Sequence, residues 1–155
     1  MAGLPALDTT LVPLCTIDVS FGQVPSCPTP VGTRMLFGVV RGRVEGERLR
    51  GSVVPGSADW LTIGDDRIGR VDVRAVIETD DGATIQMTTT GRAQLGEHAG
   101  RFLDGETVTA EQAYLRSLPL FETSDERYAF LNGLVTLGLC DISLSGVHYR
   151  VYEIG

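Results

Sequence analysis

The chain is short of the residues from which metal centres and nucleophilic triads are built. It has two histidines, His98 and His148, and three cysteines, Cys15, Cys27 and Cys140. Neither histidine has a second ligand at metal-binding spacing, so a zinc or iron site is not expected. No Cys-x-x-Cys pair occurs, and an odd number of widely separated thiols argues against a disulfide framework. Reduced thiols in a cytoplasmic protein are the simplest expectation, with a Cys15–Cys27 or Cys27–Cys140 bridge as the alternative. There is no Gly-x-Ser-x-Gly elbow and no Rossmann fingerprint. Gly42-x-x-x-Gly46 is not followed by the Lys and Ser/Thr of a phosphate loop. The expectation is a protein that works without metal or cofactor. Positive charge is scarce as well. The formal net charge is -7 and the arginines are scattered, which disfavours nucleic acid and anionic membrane surfaces. No apolar run reaches the length of a bilayer span. Met1–Pro5 lacks the basic stretch and long apolar core of a secretory signal.

What the chain does have is an ordinary globular balance, 43% hydrophobic and 21% charged residues. Its 155 residues fit one domain spanning 1–155. At this size roughly 70% of the unfolded chain's surface can be buried without a staple. Turn signals recur at short intervals: Gly42, Gly46, Gly51, Gly56, Gly64-Asp65-Asp66, Asp80-Asp81-Gly82, Gly91, Asp104-Gly105 and Gly146. Short runs rich in Val, Ile and Thr lie between them, the pattern of many strands joined by tight connections.

The clearest strand is Val71 to Thr79. Val71, Val73, Ala75 and Ile77 share one face, and Asp72, Arg74, Val76 and Glu78 the other. Asp80-Asp81-Gly82 turns the chain, and Thr84 to Thr90 returns as the second half of an antiparallel hairpin. Further strands are expected over Leu11–Val19, Arg34–Val40, Gly42–Val44, Leu49–Val54, Trp60–Ile63, Ala129–Leu137 and Gly146–Ile154. Cys27-Pro28-Thr29-Pro30 reads as a stiff loop. Ala93–Leu103 is the one helical stretch, and Thr109–Tyr114 a turn that Thr109 and Gln112 cap between them. The fold class is all-β, a sandwich or a barrel with little helix.

Four segments in register resemble a known family. They are Val44-Glu45-Gly46 through Leu49-Arg50-Gly51 to Pro55-Gly56-Ser57-Ala58-Asp59-Trp60; Asp72-Val73-Arg74 with Thr79-Asp80-Asp81-Gly82-Ala83; Tyr114-Leu115-Arg116 with Pro119, Phe121-Glu122-Thr123 and Tyr128; and Leu131-Asn132 with the closing Val151-Tyr152-Glu153. Their order is similar to that of domain of unknown function 3237, over roughly Phe37 to the C-terminus. The resemblance implies a single closed antiparallel β-barrel of about eight or more strands, in build like allene oxide cyclase or the lipocalins. Some small barrels of this kind cyclise or isomerise natural-product intermediates.

Such a barrel is either filled by side chains or holds one small ligand, so inward polar residues matter. Asp72 and Arg74 share a face: either they point into the lumen, where a buried pair needs a reason, or they form an exposed pair. Trp60 is a core anchor or the flat wall of a pocket. Asp59 caps its turn or stands as a carboxylate at the pocket mouth, where apolar surroundings would raise its pKa and suit it to general acid or base work. Glu122, beside Leu120 and Phe121, is a candidate proton carrier or a partner for Arg116, with Pro119 fixing the backbone between them. Tyr114, Tyr128 and Tyr152 are hydrogen-bond donors to a ligand or structural residues with one wet end.

The leading functional expectation is a cofactor-free isomerase, cyclase or lyase that folds a hydrophobic, oxygenated metabolite into a reactive shape. Arg74 would hold its oxyanion, Asp59 or Glu122 would move the proton, and Trp60, Phe121 and Tyr128 would line the pocket. The alternatives are a carrier or sensor using the same residues, or a filled structural barrel. A perturbed carboxylate beside the ligand separates enzyme from carrier. A homodimer is expected, with Val71, Val73, Ala75 and Ile77 as its contact if the polar face of that strand is the inner one.

Overall fold

The period-two alternation of Val71 to Ile77 runs through the whole architecture. The structure, a computed structural model, describes residues 3–155. Met1 and Ala2, part of the N-terminal stretch read above as lacking a secretory signal, lie outside the described residues. Ten strands form one antiparallel sheet: β1 (Leu11–Phe21), β2 (Ser26–Thr29), β3 (Gly32–Glu45), β4 (Gly51–Val53), β5 (Ala58–Ile63), β6 (Gly69–Thr79), β7 (Thr84–Gln94), β8 (Tyr114–Glu122), β9 (Thr136–Ser143) and β10 (Gly146–Ile154). The order β1-β10-β9-β8-β7-β6-β4-β3 returns to its start because β3 also pairs with β1. Strands β4 and β5 share one position between β3 and β6, and β2 hangs on β3. The result is a closed eight-strand antiparallel barrel with two extra strands. Among the described residues no helix is long and apolar enough to cross a membrane.

The β6–β7 hairpin matches the sequence reading and extends past it, in register from Gly69↔Ala93 to Glu78↔Thr84. Gly82 takes φ 92° in the turn, a region that suits glycine, and the Thr79 hydroxyl donates to Asp81 (2.6 Å). Val73, Ala75 and Ile77 pair with Thr89, Met87 and Ile85, and all six are buried. The apolar face of β6 is therefore the inner one. Asp72 and Arg74 point to solvent, and the Val71–Ile77 face cannot be a contact between subunits. Burying an apolar row costs nothing in unpaired charge, whereas an inward Asp72–Arg74 pair would lose its hydration.

Four expectations are corrected. Ala129–Leu137 is not one strand: only Thr136 and Leu137, the start of β9, are extended in the sheet. A 3-10 segment over Glu126–Gly133 buries Tyr128 and Leu131, opened by Asp125, whose carboxylate accepts from the Arg127 N–H (3.0 Å). Cys27-Pro28 lies in β2 rather than in a loop, at the sheet edge where a proline is tolerated. Tyr114–Glu122, absent from the expected strands, is β8, with Leu115, Ser117, Pro119 and Phe121 facing inward. Pro119 has no N–H to give, and the ladder from β8 to β9 stops at Ser117↔Gly138. Beyond it the Thr136 hydroxyl donates to the Pro119 carbonyl (2.5 Å). The expected helix over Ala93–Leu103 shrinks to a 3-10 turn at Gly96–His98 and a short helix α1 (Ala99–Leu103), because β7 runs on to Gln94. The turn at Thr109 is present, its N–H donating to Gln112 Oε1 (3.0 Å). All three cysteines are free.

The barrel's two ends are closed differently. At the β6–β7 turn, Tyr128 is buried and its hydroxyl donates to Asp81 (2.7 Å). At the other end Phe102, the buried residue of α1, is set into the opening.

Candidate functional site

Beneath Phe102 the interior is not filled. A cavity of about 60 Å³ lies among Phe21, Phe37, Leu61, Leu115, Ile142 and Val147, with Asp59, Ser117, Cys140, Ser143 and Tyr149 as polar groups on its wall and Arg92 and Arg116 at its edge. A second cavity of about 20 Å³ lies deeper in the barrel. Phe21, Asp59, Val147 and Tyr149 line both and form the partition between them. Phe21 meets Phe37 edge to face, with centroids 5.1 Å apart. The upper space admits a few waters or one small head group.

Asp59 owes its place to a break in a ladder. Strand β5 follows the turn at Gly56 (φ 98°) and pairs with β6 at Ala58↔Arg74 and Asp59↔Val73, then again at Thr62↔Arg70 and Ile63↔Gly69. In the gap, the Asp72 backbone N–H donates to Asp59 Oδ1 (3.0 Å). The carboxylate thus does the work of a ladder carbonyl, and one oxygen is anchored. Burial pushes the Asp59 carboxyl up to about 6, against the smaller lowering effect of that N–H. It is a carboxyl that exchanges its proton near neutral pH.

Tyr149 stands beside it on β10, buried between Val147 and Val151. Burial pushes its phenol well above the ordinary tyrosine range, with the neighbouring Cys140 and Asp59 adding to the shift. The phenol is therefore a proton-bearing hydrogen-bond donor. Burial also pushes the Cys140 thiol up to about 11, and its sulfur lies 3.5 Å from the Ser117 hydroxyl. Among the described residues there is no cluster of three or more His, Cys, Asp or Glu side chains placed to hold a metal ion.

Of the residues singled out from sequence, Asp59 is on the cavity wall and most others are not. Strand parity explains each case. Trp60, one residue on from Asp59, is 52% exposed on the outer surface. Asp72 and Arg74 are exposed, 3.6 Å apart on the outer face of β6. On β8, Tyr114, Arg116 and Glu122 alternate with the inward residues: Tyr114 and Glu122 are exposed, and Arg116 is half-buried. The Arg116 guanidinium donates to the carbonyls of Ala110 and Leu115 (3.1 Å each) and lies 5.2 Å from the Tyr114 ring centroid. Arg116 also borders the cavity, but it makes no ion pair with Glu122, six residues along the strand. Phe121 is buried in the core but off the cavity wall; Tyr128 closes the opposite end; Tyr152 is half-buried on the outer side of β10. The structure therefore does not bring Arg74 or Glu122 to Asp59. Tyr149, Ser117 and Cys140 were missed. The signal for Tyr149 was its place in the alternation Val147, Tyr149, Val151, a polar tip on an apolar face.

This barrel has counterparts of known sequence and structure. A UPF0311 protein of Rhodopseudomonas palustris is 31% identical over 136 residues, 86% of this chain and 88% of that one. The crystal structure of a conserved protein of unknown function from the same species superposes with a TM-score of 0.91 at 26% identity, covering 97% of this chain and 100% of that one. A β-barrel-like protein of Acinetobacter baumannii gives 0.80 at 26% identity, covering 99% of this chain and 100% of the other. A structure described as an enzyme from Penicillium herquei shares the fold at 0.68 and 20% identity, over 97% of this chain and 99% of the other. The match to the family reaches further towards the N-terminus than Phe37, taking in β1: the chain belongs to the family described as Protein of unknown function (DUF3237), whose model matches residues 9–154.

Proposed function

We propose that the barrel receives the oxygenated end of a small, mostly apolar organic molecule and moves a proton on it, as an isomerase, cyclase or lyase that uses side chains of its own. The observation that carries this reading is Asp59. It is the single carboxylate on the wall of an apolar cavity, held by one backbone N–H and raised to about 6. A passive carrier has no need of such a group. The chemistry that fits is proton abstraction next to a carbonyl. Asp59, ionised, takes the proton from carbon. The C–H electron pair passes into the carbonyl to give an enolate, whose oxygen accepts a hydrogen bond from Tyr149. Asp59 then returns the proton to a different carbon, so that atoms and charge balance without a further reactant. Arg74 and Glu122, expected from sequence to share this work, have no part in it.

The test needs no knowledge of the natural substrate. Small enones and cyclic ketones are incubated with the protein in D₂O, and deuterium uptake next to the carbonyl is followed by NMR for wild type and Asp59→Asn. Uptake by wild type that is lost in Asp59→Asn supports the reading. Binding of the same compounds by both proteins without exchange in either overturns it in favour of a carrier. Absence of both binding and exchange overturns it in favour of a structural barrel.

A further inference from the structure

The outer face of β8 reads Arg116, Leu118, Leu120, Glu122 at every second residue. It is positive at one end, apolar in the middle and negative at the other. Leu118 is 43% exposed and Leu120 45%. Thr90 and Thr88 flank them on β7, and Leu137 and Leu139 flank the strip on β9, after Val135, which is 55% exposed.

The charges at the two ends have no oppositely charged partner among the described residues. Arg92 lies directly opposite Arg116 in the β7–β8 ladder, an unfavourable placing of like charges. The Arg92 guanidinium bonds only the Gly91 carbonyl (2.8 Å), and Arg116 only carbonyls. The chain has no lysine, so all 13 of its cations are arginines. Eight of these lie within 4.0 Å of a carboxylate. Arg92, Arg116 and, at the far end, Glu122 form no ion pair among the described residues.

We infer that this strip is the contact between two copies of the chain. A two-fold axis through Pro119 lays the strip antiparallel on itself. Leu118 of one protomer then meets Leu120 of its partner, and the Arg116–Arg92 end of each meets Glu122 of the other. The pattern is self-complementary, which is what an isologous two-fold contact requires. Sheet faces pack with strands nearly aligned at a spacing of about 10 Å. The two-fold satisfies both unpaired ends at once and covers the exposed leucines. A partner of other sequence would have to supply that alternation independently.

Sedimentation velocity of the full chain from ~1 to ~100 µM tests this. The expected result is a dimer for wild type. Glu122→Arg, which sets three cations against one another at each end, should weaken it at least ~10-fold, and Leu120→Asp should give a monomer. Both changes are at exposed positions, and circular dichroism checks that each variant is folded. Arg116→Glu combined with Glu122→Arg re-forms the charge match and should restore the dimer. A wild type that stays monomeric throughout overturns the inference and leaves the strip to a different protein. A dimer that is indifferent to both Glu122→Arg and Leu120→Asp overturns it as well.

Discussion

Asp59→Asn should make the protein more stable, and only above a certain pH. The amide oxygen of asparagine can still accept from the Asp72 N–H, so the ladder gap at β5 stays closed. What changes is the charge. The carboxyl is raised from 3.8 to about 6 in the folded protein. A raised carboxyl binds its proton more tightly in the folded state, so ionisation favours unfolding. The penalty is absent below the unfolded pKa, grows as pH rises through the interval between the two values, and is complete above the folded one. At 1.36 kcal/mol per pH unit the full penalty is about 3 kcal/mol. For a domain of this size that corresponds to a Tm difference of roughly 6–12 °C. Calorimetric melting of wild type and variant side by side, in buffers from about pH 4 to about pH 8, cancels the titration of every other carboxylate. The gap should be near zero at the acid end, open across the interval and then hold level. A gap that is constant with pH, or that favours wild type at pH 8, would refute the placement of this carboxyl in an apolar cavity. Proton-transfer activity should be lost in the same variant.

Tyr149→Phe removes a hydroxyl with no carboxylate bonded to it, so stability should stay within about 1 kcal/mol of wild type while deuterium exchange falls ~10²-fold, read by NMR. Phe102→Ala takes out the residue set into the barrel mouth; denaturant melts should show a loss of about 3 kcal/mol, and the enlarged opening should admit bulkier ketones. Gly91→Ala should be worse than its size suggests. A Cβ there meets the Arg116 carbonyl and the Ser117 Cα, so β7 and β8 must separate; a loss of about 2–4 kcal/mol is expected, with lowered solubility.

The barrel was legible where one face of a strand is apolar and the other polar. That condition holds for β6, β7 and β10, and the expected Gly146–Ile154 strand matches β10 residue for residue. It fails for β8, where Leu118 and Leu120 make the outer face as apolar as the inner one and Pro119 imitates a loop. It fails again at Ala129–Leu137, where a run with strand-like composition is drawn into a 3-10 turn by the Asp125 cap and by burial of Tyr128 and Leu131. Closure of the sheet was not readable from periodicity. It depends on β1 pairing with both β10 and β3, contacts that no local pattern announces, and the family resemblance supplied it.

The candidate site was harder to read because it depends on parity. Knowing that Val73, Ala75 and Ile77 face inward fixes Asp72 and Arg74 outside. Carried across the ladder, the same choice places Thr89 and Met87 inside, and from them Pro119 and Phe121. Tyr114, Arg116 and Glu122 then have to lie outside. One decision about one strand puts five of the ten residues that chemistry alone would nominate on the outer face, and of these only Arg116 still reaches the edge of the cavity. Asp59 survives because it pairs with inward Val73. It reaches the cavity as a carboxylate only because β5 leaves the Asp72 N–H unpaired for it to bind. An aspartate on that face of an unbroken ladder would have no donor to meet and a larger desolvation cost, and selection for stability alone would replace it with an apolar residue. Its presence there against that cost is the physical reason for reading it as functional.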